Sequence, residues 1–185
     1  PADCTEVRVQ LNENERMIYA TAEQNEKYRL AACSPRKTTV VRRILDQHPD
    51  DPTLVIGAYI DQLEELGEEL DAPVIDGKTT THRREELYDA FRAGELRVLI
   101  VSKVANFSID LPGASVAVQV SGTFGSRQEE AQRLGRILRP KPDGGPAFFY
   151  SVVARDTLDA DYAAHRQRFL AEQGYGYRII DSTDL

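Results

Sequence analysis

A three-layer α/β domain, with a mostly parallel central sheet and helices on both faces, follows from three features of the chain. Short runs rich in β-branched and aliphatic residues recur along it, at 53–57, 97–101, 115–120 and 146–154. Runs of that kind read as strands buried on both faces. Stretches of a dozen or so residues with helical apolar spacing separate them, an alternation that favours right-handed crossovers and parallel pairing. A length of 185 residues, 41% of them hydrophobic, is enough for one sizeable core.

The elements follow in order. Residues 1–20 are polar and mixed and read as an N-terminal extension, in which Val7, Val9 and Leu11 alternate as in a short strand. Residues 21–33 read as one helix. Ser34-Pro35 opens the next, with serine as cap and proline at the first helical position, and Val40, Val41, Ile44 and Leu45 form its apolar face. His48-Pro49-Asp50-Asp51-Pro52 ends it, and a buried strand follows at 53–57. Residues 59–70 are amphipathic through Ile60, Leu63, Leu66 and Leu70, and 64–71 are an acidic, solvated helix face. A very short strand at 73–75 and an Asp76-Gly77 turn lead to a helix capped within Thr79–Thr81 and packed through Leu87 and Phe91. The strand at 97–101 is the clearest in the chain. Residues 102–113 form a loop, 115–120 a strand, 128–140 a helix, 141–145 a turn and 146–154 a strand. A helix capped by Asp156 runs to about 173, and a last short strand lies near 178–180. Ligands of such sheets gather at the carboxyl ends of the strands, which places the loops after Val101 and Val120 at the binding edge.

Composition excludes several classes. A net charge of −7 argues against a generally basic nucleic-acid binder, although not against a local groove. Cys4 and Cys33 are the only cysteines, which points to a reducing, cytoplasmic setting without a disulfide framework. His48, His82 and His165 are scattered, so no metal site is expected. No apolar run is long enough to cross a bilayer, and no stretch has the layout of a signal peptide.

The most informative stretch is the helix 128–140, Gln-Glu-Glu-Ala-Gln-Arg-Leu-Gly-Arg-Ile-Leu-Arg-Pro. Ser126 and Glu129 form a capping box at its start, and Pro140 stops it. With Gln132 at zero on the wheel, Arg136 falls near ~40° and Arg139 near ~340°, while Ala131, Leu134, Ile137 and Leu138 lie between ~140° and ~260°. One face therefore presents an amide and two guanidiniums, with Gly135 leaving space beside them. Forked cations suit phosphate oxygens, and an adjacent glutamine can orient a water for in-line attack.

Gln-Arg-Leu-Gly-Arg-Ile-Leu-Arg resembles motif VI of superfamily 2 helicases, and the preceding Arg-Gln-Glu-Glu-Ala resembles the XPB branch of DNA helicases. The resemblance implies the second of two RecA-like domains, here residues 21–185, with the ATP-binding first domain absent from this chain. By it, Arg136 and Arg139 would stabilise the γ-phosphoryl group of ATP and Gln132 would place the water. Residues 101–112, Val-Ser-Lys-Val-Ala-Asn-Phe-Ser-Ile-Asp-Leu-Pro, resemble motif V, although Ser108 replaces the usual glycine. Asp110 would then contact the ribose, and Ser102 and Lys103 the nucleic-acid backbone. Gly57, in a stretch that resembles motif IV, would let a DNA phosphate approach. Thr79, at a helix N-terminus, would hold another, though simple capping explains the threonines as well.

No Gly-x-x-x-x-Gly-Lys-Ser/Thr loop and no acidic box for Mg²⁺ occur, so ATP and Mg²⁺ would be held mainly by the first domain. The reading is the C-terminal motor half of a 3′–5′ DNA helicase in nucleotide excision repair, inactive in isolation. Its implied partners are DNA, the first domain of the same parent and a repair nuclease, with no membrane. The rivals are another superfamily 2 translocase (restriction, remodelling or RNA helicase) and a non-catalytic scaffold module.

Overall fold

The computed structural model describes residues 2–102, 112–122, 135 and 138–185. In chain order the elements are β1 (Ala2–Val9), α1 (Glu13–Thr21), α2 (Gln24–Ala32), α3 (Arg36–Gln47), β2 (Thr53–Gly57), α4 (Ile60–Leu70), β3 (Val74–Ile75), α5 (Thr81–Arg92) and β4 (Val98–Ser102). Then come β5 (Val116–Gln119), β6 (Ala147–Ala154), α6 (Leu158–Glu172) and β7 (Gly176–Asp181), with a last 3₁₀ turn at Ser182–Asp184.

The seven strands form one sheet in the order β3-β4-β2-β5-β6-β1-β7, and every pairing is parallel. Alternation within each strand serves two cores. Val7, Val55, Ile100, Val116, Val118 and Val152 face Val41, Ile44, Leu63 and Leu66 of α3 and α4. Leu54, Ile56, Leu99 and Val101 face Leu87, Tyr88 and Phe91 of α5 on the other side. Further along that side, Cys4, Ala117 and Phe149 meet Leu138 and Leu170. Each of these large side chains contributes on the order of 1.5–3 kcal/mol by leaving water.

Several expectations change, among them the cap of α3: Pro35 rather than Ser34 is its N-cap, and the Ser34 hydroxyl donates to Glu15 at 2.6 Å instead of capping. The N-terminal residues are not an appendage, because β1 is an interior strand between β6 and β7. Its polar look comes from Thr5 and Glu6, both buried; Glu6 accepts hydrogen bonds from Arg8 at 2.8 Å and from the Tyr177 hydroxyl at 3.0 Å. The helix expected at 21–33 is α2, but a helix that was not expected, α1, precedes it within the supposed extension. Asn12 caps α1 through a reciprocal box with Glu15, and extended backbone at Ala22 and Glu23 separates α1 from α2. Finally, Thr157 rather than Asp156 caps α6; Asp156 takes a left-handed conformation (φ 59°) just ahead of it.

Candidate nucleotide and nucleic-acid site

The residues singled out in the sequence fall at two opposite ends of the sheet. Gly57 and Ser102 end β2 and β4 at the carboxyl edge. Arg139 lies at the amino edge. Its backbone N–H donates to Ala114 at 2.8 Å, Leu138 bridges Ala114, and Ser115 and Val116 in turn donate to Pro52 just ahead of β2. At ~3.3 Å per residue, the length of β2 sets these two ends roughly 13 Å apart. The expectation of one carboxyl-edge site therefore fits Gly57 and Ser102 and not Arg139. The chain that leaves β5 at the carboxyl edge comes back to the amino edge before β6 begins.

At the amino edge Arg139 is exposed, and its side chain lies over Gly113. A Cβ on Gly113 would stand 2.5 Å from Arg139 Cγ and 3.3 Å from Nε. Gly113 follows Asp110 by three residues, so the end of the motif V-like segment and the last arginine of the motif VI-like segment are side by side. An exposed guanidinium so placed fits a phosphate. Gln132, Arg136, Lys103 and Asp110 lie outside the described residues, as do Ser108, Ser126 and Glu129. Gly135 is helical, and the space beside it faces the Tyr175 hydroxyl, 3.7 Å from where its Cβ would be.

At the carboxyl edge the packing of Gly57 is internal. A Cβ there would come within 2.8 Å of Leu63 Cδ2 and 2.9 Å of Ser121 Oγ. The Ala58 N–H is also taken, donating to Ser121 Oγ at 2.8 Å. Glycine at 57 is thus explained by close packing of the loops after β2 and β5, without a DNA phosphate. Ser102 is buried. Thr79 closes a turn, accepting from the Asp76 N–H at 3.0 Å, while Thr80 caps α5 through the Arg83 N–H at 3.1 Å. The threonines therefore satisfy the local backbone.

Two networks, one buried and one largely sheltered, were not legible as chemistry in the sequence. Lys37, 1% exposed, reaches from α3 to Asp159 Oδ2 at 2.8 Å and to the Val120 carbonyl at 2.6 Å; the same carboxylate oxygen accepts the Ala154 N–H at 2.8 Å. Beside it the Tyr28 hydroxyl donates to the Gly122 carbonyl at 2.6 Å and accepts its N–H at 3.0 Å. Burial, followed by the nearby Asp159 charge, pushes the Tyr28 hydroxyl above its ordinary pKa, so it stays a donor. Together these groups fix Val120–Gly122, the start of the chain toward Arg139. The second network, at the amino edge, links His48, Asp51, Lys141 and Tyr150. No sequence signal pointed to either, because the partners are far apart along the chain.

Among the described residues no group of three or more His, Cys, Asp or Glu is placed to hold a metal ion. The exposed acids of α4 form a solvated face, tied to neighbouring elements by Arg29–Asp61 at 3.0 Å and Arg42–Glu69 at 3.2 Å. Tyr175 and Tyr177 pack against the core that holds Phe149 and Leu170.

Comparison with known proteins adds the following. The family described as ERCC3/RAD25/XPB C-terminal helicase matches residues 1–184. A protein of Mycobacterium tuberculosis named DNA 3'-5' helicase XPB is 71% identical over 185 residues, covering 100% of this chain and 34% of that protein. A Halobacterium salinarum protein named putative DNA 3'-5' helicase Rad25 is 40% identical over 171 residues, covering 92% of this chain and 28% of the relative. The chain thus spans about a third of the length of the curated relatives it matches. The C-terminal domain of the DEAD-box protein Dbp5 superposes with a TM-score of 0.70 at 18% identity, covering 98% of this chain and 92% of that one. That likeness concerns the fold, which is the RecA-like fold of helicase C-terminal domains.

Proposed function

Since the chain belongs to the ERCC3/RAD25/XPB C-terminal helicase family, we propose that it is the second motor domain of an ATP-dependent 3′–5′ DNA helicase acting in nucleotide excision repair. The observation that carries this reading is the exposed Arg139, held by Ala114 and laid over Gly113 at the end of the motif V-like segment. In this reading ATP binds between this domain and the first domain, which supplies the phosphate cradle and the Mg²⁺ ligands. Mg²⁺ supplies charge neutralisation at the β- and γ-phosphates. Arg136 and Arg139 bear on the γ-phosphoryl group, Gln132 orients the water, and Asp110 accepts from the ribose. Arginines in that role are worth ~10³–10⁵ in rate once the nucleotide is held elsewhere. Lys103 meets the DNA backbone in this reading, and Ser102, buried at the end of β4 on the carboxyl edge, acts through the chain beside it. Gly57 and Thr79, whose local bonding is satisfied within the domain, stand as weaker members of that edge.

The test is DNA-stimulated ATP hydrolysis by the full-length parent carrying Arg139→Ala or Arg136→Ala. A fall on the order of 100-fold with ATP binding intact supports the reading. Near-normal turnover in both variants sinks it. The isolated chain should show negligible ATPase activity, and robust turnover by it alone would contradict the two-domain account. Strand separation on DNA and RNA duplexes distinguishes this reading from another superfamily 2 translocase.

A further inference from the structure

We propose that Asp51 and Lys141 are positioning residues for Arg139, with His48 and Tyr150 fixing Asp51 in place. The inference rests on the role given to Arg139 above.

The loop between α3 and β2 holds both strands of chain that meet at Arg139. On one side the Pro52 carbonyl accepts from Ser115 at 3.1 Å and from Val116 at 3.3 Å. It thereby sets Ala114, the residue whose carbonyl holds the Arg139 N–H. On the other side Asp51 Oδ2 takes Lys141 Nζ at 3.1 Å. Only Pro140 separates Lys141 from Arg139. Its ring fixes φ, so a displacement of Lys141 is passed to Arg139 with one soft rotation fewer than any other residue would allow. A single loop thus sets the backbone just after Arg139 and the strand beside it.

The pair is built rather than incidental. Lys141 and Asp51 side chains are 24% and 17% exposed, so this is a largely sheltered ion pair. The Lys141 ammonium also stands 5.2 Å from the Phe148 ring centroid, and its backbone N–H donates to the Gly145 carbonyl at 3.0 Å. Asp51 Oδ2 lies 3.0 Å from His48 Nδ1, and His48 Nε2 lies 2.7 Å from the Tyr150 hydroxyl. A ring with its proton on Nδ1 satisfies both, donating to Asp51 and accepting from Tyr150. Arg97 anchors the loop from below, donating to the His48 carbonyl at 2.8 Å. The chain of groups runs from β6 through the loop to the arginine. Its geometry matters because a misplacement on the order of 1 Å in a charge-stabilising group can cost about 100-fold in rate.

The experiment is a double-mutant cycle on the full-length parent, read as DNA-stimulated ATP turnover. Arg139→Ala, Lys141→Met and the pair are compared, with Lys141→Arg as the conservative variant and melting temperature followed throughout. Lys141→Met should lower kcat about tenfold while the KM for ATP moves less than about twofold, and Lys141→Arg should recover most of the loss. In the Arg139→Ala background Lys141→Met should change turnover by less than about twofold, because its effect passes through that arginine. An equal fold-loss in both backgrounds, or an unchanged kcat in Lys141→Met, overturns the inference while leaving the helicase reading intact. Loss in neither Arg139→Ala nor Arg136→Ala overturns the reading itself, and the inference with it. If Lys141→Met does not fold, Asp51→Asn enters the same cycle with the same expectations.

Discussion

Replacing Lys37 by methionine isolates the energetics of one of the most buried charges among the described residues. Methionine keeps much of the apolar stem and removes the ammonium. The variant leaves Asp159, 4% exposed, with the Ala154 N–H as the remaining member of its three-way bond, and takes the donor from the Val120 carbonyl. Breaking a buried pair by removing one partner costs about 3–5 kcal/mol, because an uncompensated charge stays in the interior. An entropy of unfolding of about 2.1 cal/mol/K per residue gives roughly 0.4 kcal/mol/K for a chain of this length, so the melting temperature should fall by about 8–13 °C. The assay is thermal unfolding of the chain followed by circular dichroism at neutral pH. The double variant Lys37→Met/Asp159→Asn should regain at least about half of the loss, since no full charge is then buried at this site. A loss below about 1 kcal/mol, or a double variant no better than Lys37→Met, would refute the reasoning.

Three further outcomes are expected. Gly57→Ala should destabilise the domain by about 1–3 kcal/mol, because its methyl would press on Leu63 and Ser121; an unchanged urea midpoint would show that the loops yield freely. Burial pushes the Asp51 carboxyl up, but hydrogen bonds from His48 and Lys141 outweigh it and hold the group below its ordinary pKa. A depressed carboxylate contributes stability that is fully present above the unfolded value of about 3.9 and is lost as pH falls through the folded one. Urea midpoints should therefore drop below about pH 4, and less steeply in Asp51→Asn; parallel pH profiles would count against the network. Burial, with Asp3 adding to it, pushes the Cys4 thiol up to about 12, and burial raises Cys33 to about 11. At pH 8 the folded chain should then react with a thiol reagent on the order of 100-fold more slowly than the urea-unfolded chain, and equal rates would contradict the burial.

What the sequence disclosed and what it hid divide along physical lines. β2, β4, β5 and β6 announce themselves because a strand buried on both faces must be apolar throughout. β1 does not, because Glu6 is buried only by courtesy of Arg8 and of Tyr177 from the far end of the chain. The start of α1 was readable, since Asn12 and Glu15 have capping-box spacing, but the polar composition of α1 drew attention away from it. The helix expected over 128–140 does not reach Pro140: Leu138 already bridges to Ala114, and the Arg139 N–H donates to the Ala114 carbonyl. Two things needed three dimensions. A chain that returns from the carboxyl edge separates Arg139 from Gly57 by the height of the sheet. Lys37 and Asp159, 122 residues apart, have no local pattern that marks them as a pair.

The interior position of β1 has a consequence for how this domain is made. Ala2 pairs with Ala147, and Asp3 with Gly176. During synthesis at roughly 5–20 residues per second, β1 waits about 7–30 s for its first sheet neighbour to be made, and longer for the second. Until then its backbone donors and acceptors are open to other chains. Half of the sheet, β3-β4-β2-β5, can assemble from contiguous chain in the meantime, and β1 closes the structure last between β6 and β7. Mutations that weaken β1 should therefore leave folding of the first half untouched and show up as nascent chains caught by chaperones, because long-range pairing is the slow step.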